Sequence, residues 1–262
     1  MSIVHCQLSI IFIMSALSQN IAPIIEVENL VKKFGDFVAD DNLTFKVYPG
    51  EIFGFLGANG AGKTTAIRMI CGLLEPTSGL LKVAGYDGYH EREKIKRNIG
   101  YMSQKFSLYE DLTVYENIRL YAGIYGISRK IRLEKTGVLL RKLQLEESRD
   151  KLVGGLPLGW KQKLAFSLAV FHDPKVVFLD EPSGGVDPLT RRTFWDMIYE
   201  VAHHGITIFV TTHYMDEAEY CDRVAIMSEG KIVALDTPTA LKEKYQADSM
   251  DGVFLKIARN KE

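Results

Sequence analysis

The stretch GANGAGKTT at positions 57–65 decides the fold, because it matches the pattern G-x-x-x-x-G-K-[ST]. Glycines at this spacing let backbone N–H groups turn inward and approach phosphate oxygens without a clash from Cβ atoms. A helix that starts directly after the loop presents its positive end to the same anion. We therefore expect Lys63 to reach the β- and γ-phosphates of a nucleotide and Thr64 to hold Mg²⁺. The loop residues predicted to contact the nucleotide are Gly57, Ala58, Asn59, Gly60, Ala61, Gly62, Lys63, Thr64 and Thr65.

Strand patterns surround this loop and alternate with helical patterns along the chain. IFGFL at 52–56 precedes the loop and a helical pattern follows at about 64–74. Before them, IIEVENL and LTFKV alternate with period two, as half-buried strands do. Strands that alternate with helices predict a mainly parallel sheet covered on both faces. We therefore predict an α/β protein: a P-loop NTPase core with an N-terminal antiparallel β flap and a helical subdomain inserted at about 91–158.

A second motif, VVFLDE at 176–181, predicts a buried strand that ends in two carboxylates. Alone such a strand is common, but a phosphate loop in the same chain gives the carboxylates a role. We expect Asp180 to hold the Mg²⁺ shell and Glu181 to polarise an attacking water. The carboxyl end of a strand is also where an open parallel sheet binds its ligand. The two motifs therefore predict one site for a nucleotide and Mg²⁺.

The composition is that of an ordinary globular protein, with 47% hydrophobic and 25% charged residues among 262. The 32 basic and 33 acidic side chains nearly cancel, so no overall field favours nucleic acid, and we expect no nucleic-acid partner. Cys6, Cys71 and Cys221 are scattered and odd in number, which argues against a disulfide framework or a zinc site and fits a reducing compartment.

The first 23 residues are predicted to be a disordered extension. Their apolar stretch at 3–17 is too short and too mixed for a membrane-spanning helix. A signal peptide would need a basic start, yet no Lys or Arg precedes Lys32. Translation from Met14 is the alternative that stays open. No other apolar run is long enough to cross a bilayer, so we expect a soluble chain.

Together these motifs resemble the ATP-binding subunits of ABC transporters over nearly the whole chain from Ile24. The order of motifs is that of the family: the phosphate loop, a glutamine loop YMSQ at 101–104, a signature segment, VVFLDE, a loop that ends in Asp187, and a histidine after the strand ITIFVTT. The resemblance implies that the ligands are ATP and Mg²⁺ and that the chain hydrolyses ATP.

Three further roles follow from the resemblance. Phe34, before Gly35, resembles the aromatic residue that stacks on adenine in this family. Gln104 resembles the residue that touches Mg²⁺ and the attacking water while it senses the membrane partner. His213, in TTHYMDEAE, resembles the histidine that hydrogen-bonds the γ-phosphate. Outside this context, each of these residue types would more often have a structural or solvent-facing role.

The signature segment departs from the family pattern LSGGQ. LPLGW at 156–160 stands in its place, so the contacts expected there come from Pro157, Leu158 and Gly159. In this family the signature binds the ATP of a second copy. Pro157 offers neither a hydroxyl nor an N–H group, and Leu158 carries a Cβ that is costly if its φ is positive. We expect a working but weakened contact, made by backbone N–H groups at the start of the next helix.

The resemblance extends to bacterial multidrug-export ATPases through LPLGWKQ, YMSQKFSLYEDLTV and SGGVDPLTRR. It implies a separate membrane-spanning permease, and a homodimer or heterodimer with a second ATP-binding subunit. The chain would then be cytoplasmic and peripheral on the inner face of the cell membrane. The ATP-binding domain is predicted at 24–254 and a C-terminal tail at 255–262.

Three alternatives stay open to different degrees. A non-transport ABC ATPase of repair or translation would carry a long coiled-coil insertion or two nucleotide domains, and the chain shows neither. A GTPase would need a guanine-reading N-K-x-D motif, which the sequence lacks. A nucleotide sensor with weak turnover is compatible with the altered signature.

Overall fold

The computed structural model describes residues 21–104 and 108–259, and the predictions for residues 1–20 and 260–262 lie outside this part of the chain. The strands are β1 Ile25–Phe34, β2 Phe37–Val47, β3 Ile52–Leu56, β4 Ser78–Val83, β5 Tyr86–Asp87, β6 Ile99–Met102, β7 Val176–Asp180, β8 Thr207–Thr212, β9 Arg223–Ser228 and β10 Lys231–Asp236. The α-helices are α1 Lys63–Ile70, α2 Arg92–Asn98, α3 Val114–Ile124, α4 Arg129–Lys142, α5 Leu158–Ala169, α6 Pro188–His203, α7 Pro238–Tyr245 and α8 Met250–Arg259. Short 3₁₀ turns occur at Glu146–Ser148, Val153–Gly155 and Met215–Tyr220.

The N-terminal strands form an antiparallel sheet in the order β2-β1-β4-β5. Strand β1 alternates buried Ile25 and Val27 with the partly exposed Glu26. Because side chains of a strand point to opposite faces in turn, this pattern gives the sheet one apolar face. That face covers one side of the central sheet, and the predicted antiparallel β flap is confirmed.

The central sheet has the order β10-β9-β3-β8-β7-β6, and all its strands are parallel except the β9–β10 hairpin. Every residue of β3, β7 and β8 is buried. Strands covered on both faces need apolar residues at successive positions, which explains the unbroken runs IFGFL and VVFL. The predicted mainly parallel P-loop architecture is confirmed.

Two apolar layers cover this sheet. On one face, Phe45 of the flap stacks on Phe53 at 5.5 Å between ring centroids, and Phe55 and Phe209 extend the cluster. On the other face, helices α5 to α8 cover the sheet with a cluster that includes the buried Trp195. The helices α3, α4 and α5 share a separate core of their own. None of the helices in the described ranges is long and apolar enough to span a membrane.

Strand β6 lies inside the segment that was predicted to be the helical insertion, about 91–158. It pairs with β7 in the central sheet, with Tyr101 beside Phe178. Gly100 allows this position, because a Cβ atom there would lie 2.0 Å from the carbonyl oxygen of Ala169. Four residues are too few for strand periodicity to stand out among helical patterns. Helix α2 precedes β6, but the helices that share a separate core all follow it, so the insertion begins after β6 and not at about 91 as predicted.

The C-terminal boundary predicted at residue 254 falls inside helix α8. Val253 and Ile257 of this helix are buried in the cluster that covers the central sheet. The pattern MDGVFLKIA is short and contains a helix-weakening glycine, which hides its amphipathic character. The folded domain therefore continues to at least Arg259, and residues 255–259 are not a tail.

Candidate nucleotide-binding site

The phosphate loop runs from the end of β3 to the start of α1, and its glycines are needed for close approach. Gly62 has φ 106° and precedes the first helical residue, Lys63. A Cβ atom on Gly62 would lie 2.4 Å from Oδ1 of Asp40, and one on Gly57 would lie 2.6 Å from the carbonyl oxygen of Met227. The loop is thus pressed against β2 and β9, and the positive end of α1 points at the cavity that the loop encloses.

Lys63 lies at the base of this cavity, with 5% of its side chain exposed. Its Nζ donates hydrogen bonds to the carbonyl oxygens of Gly57 at 2.7 Å and Ala58 at 3.1 Å. The same nitrogen lies 3.8 Å from Oε1 of Glu181. Burial lowers the pKa of Lys63, while the charges of Glu181 and Asp180 oppose that shift. The ammonium group and the positive end of α1 are the features of this cavity that favour an anionic ligand.

Glu181 connects three of the predicted site residues. Its Oε2 accepts a hydrogen bond from Nε2 of Gln104 at 3.0 Å. Nδ1 of His213 lies 3.1 Å from the same oxygen, without the alignment of a hydrogen bond. Glu181 has φ 50°, which is uncommon for a residue with a Cβ atom and marks the sharp turn after β7. Gln104, Glu181 and His213 follow β6, β7 and β8, so neighbouring parallel strands deliver them to one edge of the sheet.

Asp180 is buried beside Glu181, with 7% exposure. Its Oδ1 accepts a hydrogen bond from the Thr211 hydroxyl at 2.6 Å, and its Oδ2 accepts a longer one from the Tyr101 hydroxyl at 3.5 Å. Burial, aided by the charge of Asp180, raises the pKa of Tyr101, so the phenol stays protonated and remains a donor. The carboxylate is thereby held in one orientation at the edge of the sheet.

Asp40 lies beneath the loop on β2 and is fully buried. Within the described part of the chain, neither of its carboxylate oxygens has a hydrogen-bond partner. Burial raises the pKa of this carboxyl group to about 7. The sequence carried no signal for this group, because strand residues do not reveal which loop packs over them.

The cavity itself is lined by loop residues, by Glu181 and by the flap. Its lining consists of Phe37, Ala39, Asn59, Gly60, Gly62, Lys63, Thr64, Thr65 and Glu181. Phe34, predicted to stack on adenine, is 51% exposed and pairs directly with Phe37 across the β1–β2 turn. Nζ of Lys32 lies 5.1 Å from the centre of the Phe34 ring. Phe37, which sequence reasoning missed, is the aromatic residue that lines the cavity; the spacing F-G-D-F at 34–37 was the available signal.

The predicted magnesium ligands are a hydroxyl, a carboxylate and an amide, from Thr64, Asp180 and Gln104. Oxygen donors of this kind are those that Mg²⁺ prefers, and Mg²⁺ sites with few protein ligands are completed by phosphates and water. Thr64 lines the cavity, Gln104 bonds Glu181, and Asp180 precedes Glu181 in the chain. These residues fit a magnesium ion that is bound together with a nucleotide.

The signature residues lie apart from this cluster. Pro157 precedes α5 with φ −55°, and Leu158 is the first helical residue. Leu158 is absent from the positive-φ positions of the described chain, so the strain considered for it does not arise. Pro157, Leu158 and Gly159 line a different cavity, together with Asp187 and Thr190. Gly159 is close to Thr190, because a Cβ atom there would lie 2.8 Å from Cγ2 of Thr190.

The fold and the site define a P-loop nucleotide-binding domain in which a cavity at one sheet edge is lined by a buried lysine and the Glu181 carboxylate, with Asp180 next to Glu181 in the chain. The sequence pattern of a family described as "ABC transporter" matches residues 41–184. The chain belongs to the ABC transporter family, and the predicted resemblance is confirmed.

The relatives agree with this assignment. The chain is 46% identical over 239 residues to the "Probable multidrug ABC transporter ATP-binding protein YbhF" of Escherichia coli. The matched stretch covers 89% of this chain and 41% of that protein, so the chain spans less than half of the relative's length. It is 36% identical over 225 residues to the "Nod factor export ATP-binding protein I" of Burkholderia orbicola, covering 86% of this chain and 74% of that one. A solved "Structure of ATP binding subunit of ABC transporter" is 31% identical, with TM-score 0.81 over 90% of this chain and 99% of the other.

Proposed function

We propose that this chain is the ATP-binding and ATP-hydrolysing subunit of an ABC transporter and that it drives export through a separate permease. The observation that carries the proposal is the meeting of Lys63, Gln104 and His213 around the carboxylate of Glu181. Each comes from a different element, so their convergence is a property of the fold and not of local sequence.

The chain's own residues divide the work of hydrolysis. The N–H groups of the loop and the ammonium group of Lys63 bind the phosphates. Glu181 lies within reach of the same cavity and is the general base that takes the proton of the attacking water. Gln104 holds the Glu181 carboxylate through a hydrogen bond, and the His213 ring lies 3.1 Å from the same carboxylate oxygen. Phe34 and Phe37 at the flap turn offer an aromatic surface for the adenine base of the nucleotide.

Thr64, Asp180 and Gln104 are the proposed magnesium ligands. The ion, when bound, neutralises charge on the β- and γ-phosphate oxygens. The hydroxyl groups of Thr211 and Tyr101, on the two strands that flank β7, hold the Asp180 carboxylate in place.

The partners follow from what one chain leaves incomplete. Pro157, Leu158 and Gly159 do not line the cavity that holds Lys63, so within one chain they contact no nucleotide bound there. We propose that they close over the nucleotide of a second ATP-binding subunit, identical or different, in a two-fold arrangement. The multidrug and export names of the relatives support a permease partner and a location at the inner face of the cell membrane.

Removal of the Lys63 charge tests the site. Lys63→Ala should abolish turnover of Mg-ATP and weaken ATP binding by about tenfold to a hundredfold, because one charge-assisted contact contributes about 1.5–3 kcal/mol. Isothermal titration and phosphate release measure the two effects. Lys82→Ala, an exposed lysine of the flap, is the matched control. Unchanged affinity together with unchanged hydrolysis in Lys63→Ala would refute the site, and binding without turnover in the native chain would favour the nucleotide sensor.

A further inference from the structure

Thr211 is a fully buried threonine at the carboxyl end of β8, directly beside Asp180 in the parallel pairing with β7. Its hydroxyl group makes two hydrogen bonds to adjacent residues of the neighbouring strand. It donates to Oδ1 of Asp180 at 2.6 Å and accepts from the backbone N–H of Glu181 at 3.1 Å. One side chain therefore contacts both carboxylate residues of the site, and it does so from outside the cavity.

The hydrogen bond from the Glu181 N–H group to the Thr211 hydroxyl involves a residue with an uncommon backbone conformation. Glu181 has φ 50°, a left-handed conformation that residues with a Cβ atom rarely adopt unless their surroundings impose it. Its N–H group is shared between the carbonyl oxygen of Thr211 at 3.0 Å and the Thr211 hydroxyl. These two acceptors hold the turn that points the Glu181 side chain at Lys63 and Gln104 and away from the line of the strand.

The hydrogen bond from the Thr211 hydroxyl to Asp180 is short, and the Asp180 carboxyl group is buried. A buried carboxylate needs donors, and the other donor to Asp180, the Tyr101 hydroxyl, is 3.5 Å away. Valine would fill the same space as Thr211 without either hydrogen bond. Serine would keep the hydroxyl and lose only the methyl group. The site therefore depends on a hydroxyl at this position and not only on a β-branched shape.

We propose that Thr211 is a positioning residue that sets Asp180 for Mg²⁺ and Glu181 for water at the same time. The inference rests on the proposed ATPase function of the same site. Thr211 itself touches neither the nucleotide nor the ion. Its loss should therefore affect the steps that need Mg²⁺ and leave Mg²⁺-free nucleotide binding close to normal.

The test compares Thr211→Val with Thr211→Ser and uses Thr207→Val as the matched control. Thr207 is a buried threonine on the same strand whose hydroxyl accepts one hydrogen bond, from the Gly50 N–H at 3.0 Å, far from the site. Thr211→Ala is carried alongside in case the valine variant does not fold. For each variant we would measure thermal stability, phosphate release against Mg²⁺ concentration, and ATP affinity by titration with Mg²⁺ and with chelator.

The valine and alanine variants should lose roughly tenfold to a hundredfold in turnover or in Mg²⁺ affinity, as expected when a group that orients a metal ligand is removed. Their ATP affinity with chelator should stay within about threefold of the native value, and Thr211→Ser should restore most of the loss. Thr207→Val should lower thermal stability without a change in Mg²⁺ dependence. Native-like Mg²⁺ dependence in both Thr211→Val and Thr211→Ala, or a serine variant as impaired as they are, would overturn the proposal.

Failure of the proposed function is recognised separately. If the native chain binds Mg-ATP but does not turn it over, the ATPase proposal fails, and Thr211 is judged by the gain in ATP affinity that Mg²⁺ provides. That gain should disappear in Thr211→Val and remain in Thr211→Ser. A native chain that binds no nucleotide under any condition would overturn both proposals.

Discussion

At the scale of single residues, Asp40 is the group whose environment is most at odds with its charge. It is buried without a hydrogen-bond partner in the described chain, and burial raises its pKa from 3.8 to about 7. The folded protein therefore keeps a proton on Asp40 that the unfolded chain releases between about pH 4 and pH 7. A group of this kind lowers stability progressively as the pH rises through that window, and its full penalty is present above pH 7.

Replacement of Asp40 by asparagine should remove that penalty. Asp40→Asn should raise the free energy of unfolding at pH 8 by on the order of 4 kcal/mol, since one pKa unit corresponds to about 1.36 kcal/mol. At pH 4.5, less than one unit above the unfolded pKa of 3.8, the gain should fall to about 1 kcal/mol. Thermal unfolding at both pH values measures the difference, and Asp36→Asn, in the exposed β1–β2 turn, is the control. An equal effect at the two pH values, or no gain at pH 8, would show that burial does not raise the pKa of Asp40.

The sequence alone predicted the site residues that lie in motifs with a fixed spacing, because the chemistry of the site requires that spacing. Lys63 and Glu181 lie in motifs that can be read in order along the chain, and the structure brings them within 3.8 Å. Thr211, Tyr101 and Asp40 were missed, because their roles depend on which strands are neighbours and in what register. Hydroxyl and carboxylate groups in strands have no local pattern that reveals such contacts.

At the scale of elements, the start of helix α5 determines how the signature segment can bind an anion. The first N–H groups of a helix have no partner within it, so those of Leu158 and Gly159 are donors at a positive helix end. Pro157 adds no side-chain cap. The expected weakened contact therefore follows from a missing hydroxyl, and not from a strained Leu158.

A serine at position 157 should supply that hydroxyl. In the Glu181→Gln background, Pro157→Ser should strengthen the ATP-dependent dimer by about 1 kcal/mol, or roughly fivefold in its dissociation constant, because it adds one hydrogen bond to the phosphate. Sedimentation across a range of protein concentrations measures this constant. Pro157→Ala removes the proline without adding a donor and is the control. A serine variant that dimerises no better than the alanine variant would argue against a role for this position.

Helix α8 is an element that the sequence reading assigned in part to a tail. Ile257 is 8% exposed, whereas Leu255 two residues earlier is 55% exposed. Ile257→Ala should therefore lower the free energy of unfolding by about 2–3 kcal/mol, as truncation of a buried aliphatic residue does, and Leu255→Ala should change it by less than about 0.5 kcal/mol. Denaturant unfolding compares the two. Equal effects of both variants would mean that α8 does not pack as described.

Elements with strong periodicity were predictable, and those that depend on tertiary packing were not. The buried runs of β3 and β7 were visible because both faces of these strands are covered. Strand β6 has only four residues and lies among helical patterns, so its place in the central sheet depends on pairing with β7. The amphipathic face of α8 likewise becomes clear only against the cluster that it covers.

At the scale of the whole molecule, the proposed dimer makes two half-sites of the cavity that holds Lys63 and the cavity lined by the signature residues. Lys63 and Glu181 line the first, and Leu158 and Asp187 line the second. A ligand that contacts both chains stabilises their association, and in the proposed dimer ATP would do so only while its γ-phosphate is intact. Hydrolysis would then reopen the pair, and the separate core of helices α3 to α5 is the part available to pass that motion to a permease.

The most direct measurement is the association state of Glu181→Gln with Mg-ATP, determined by size-exclusion chromatography. The change removes the proposed general base and keeps the shape of the side chain, so ATP should bind and persist. We predict that the variant hydrolyses no ATP and elutes as a dimer with Mg-ATP but as a monomer without it. Glu181→Gln combined with Lys63→Ala should remain monomeric in both conditions. A Glu181→Gln chain that stays monomeric at saturating ATP, even with its permease present, or that turns over ATP at the native rate, would contradict the account.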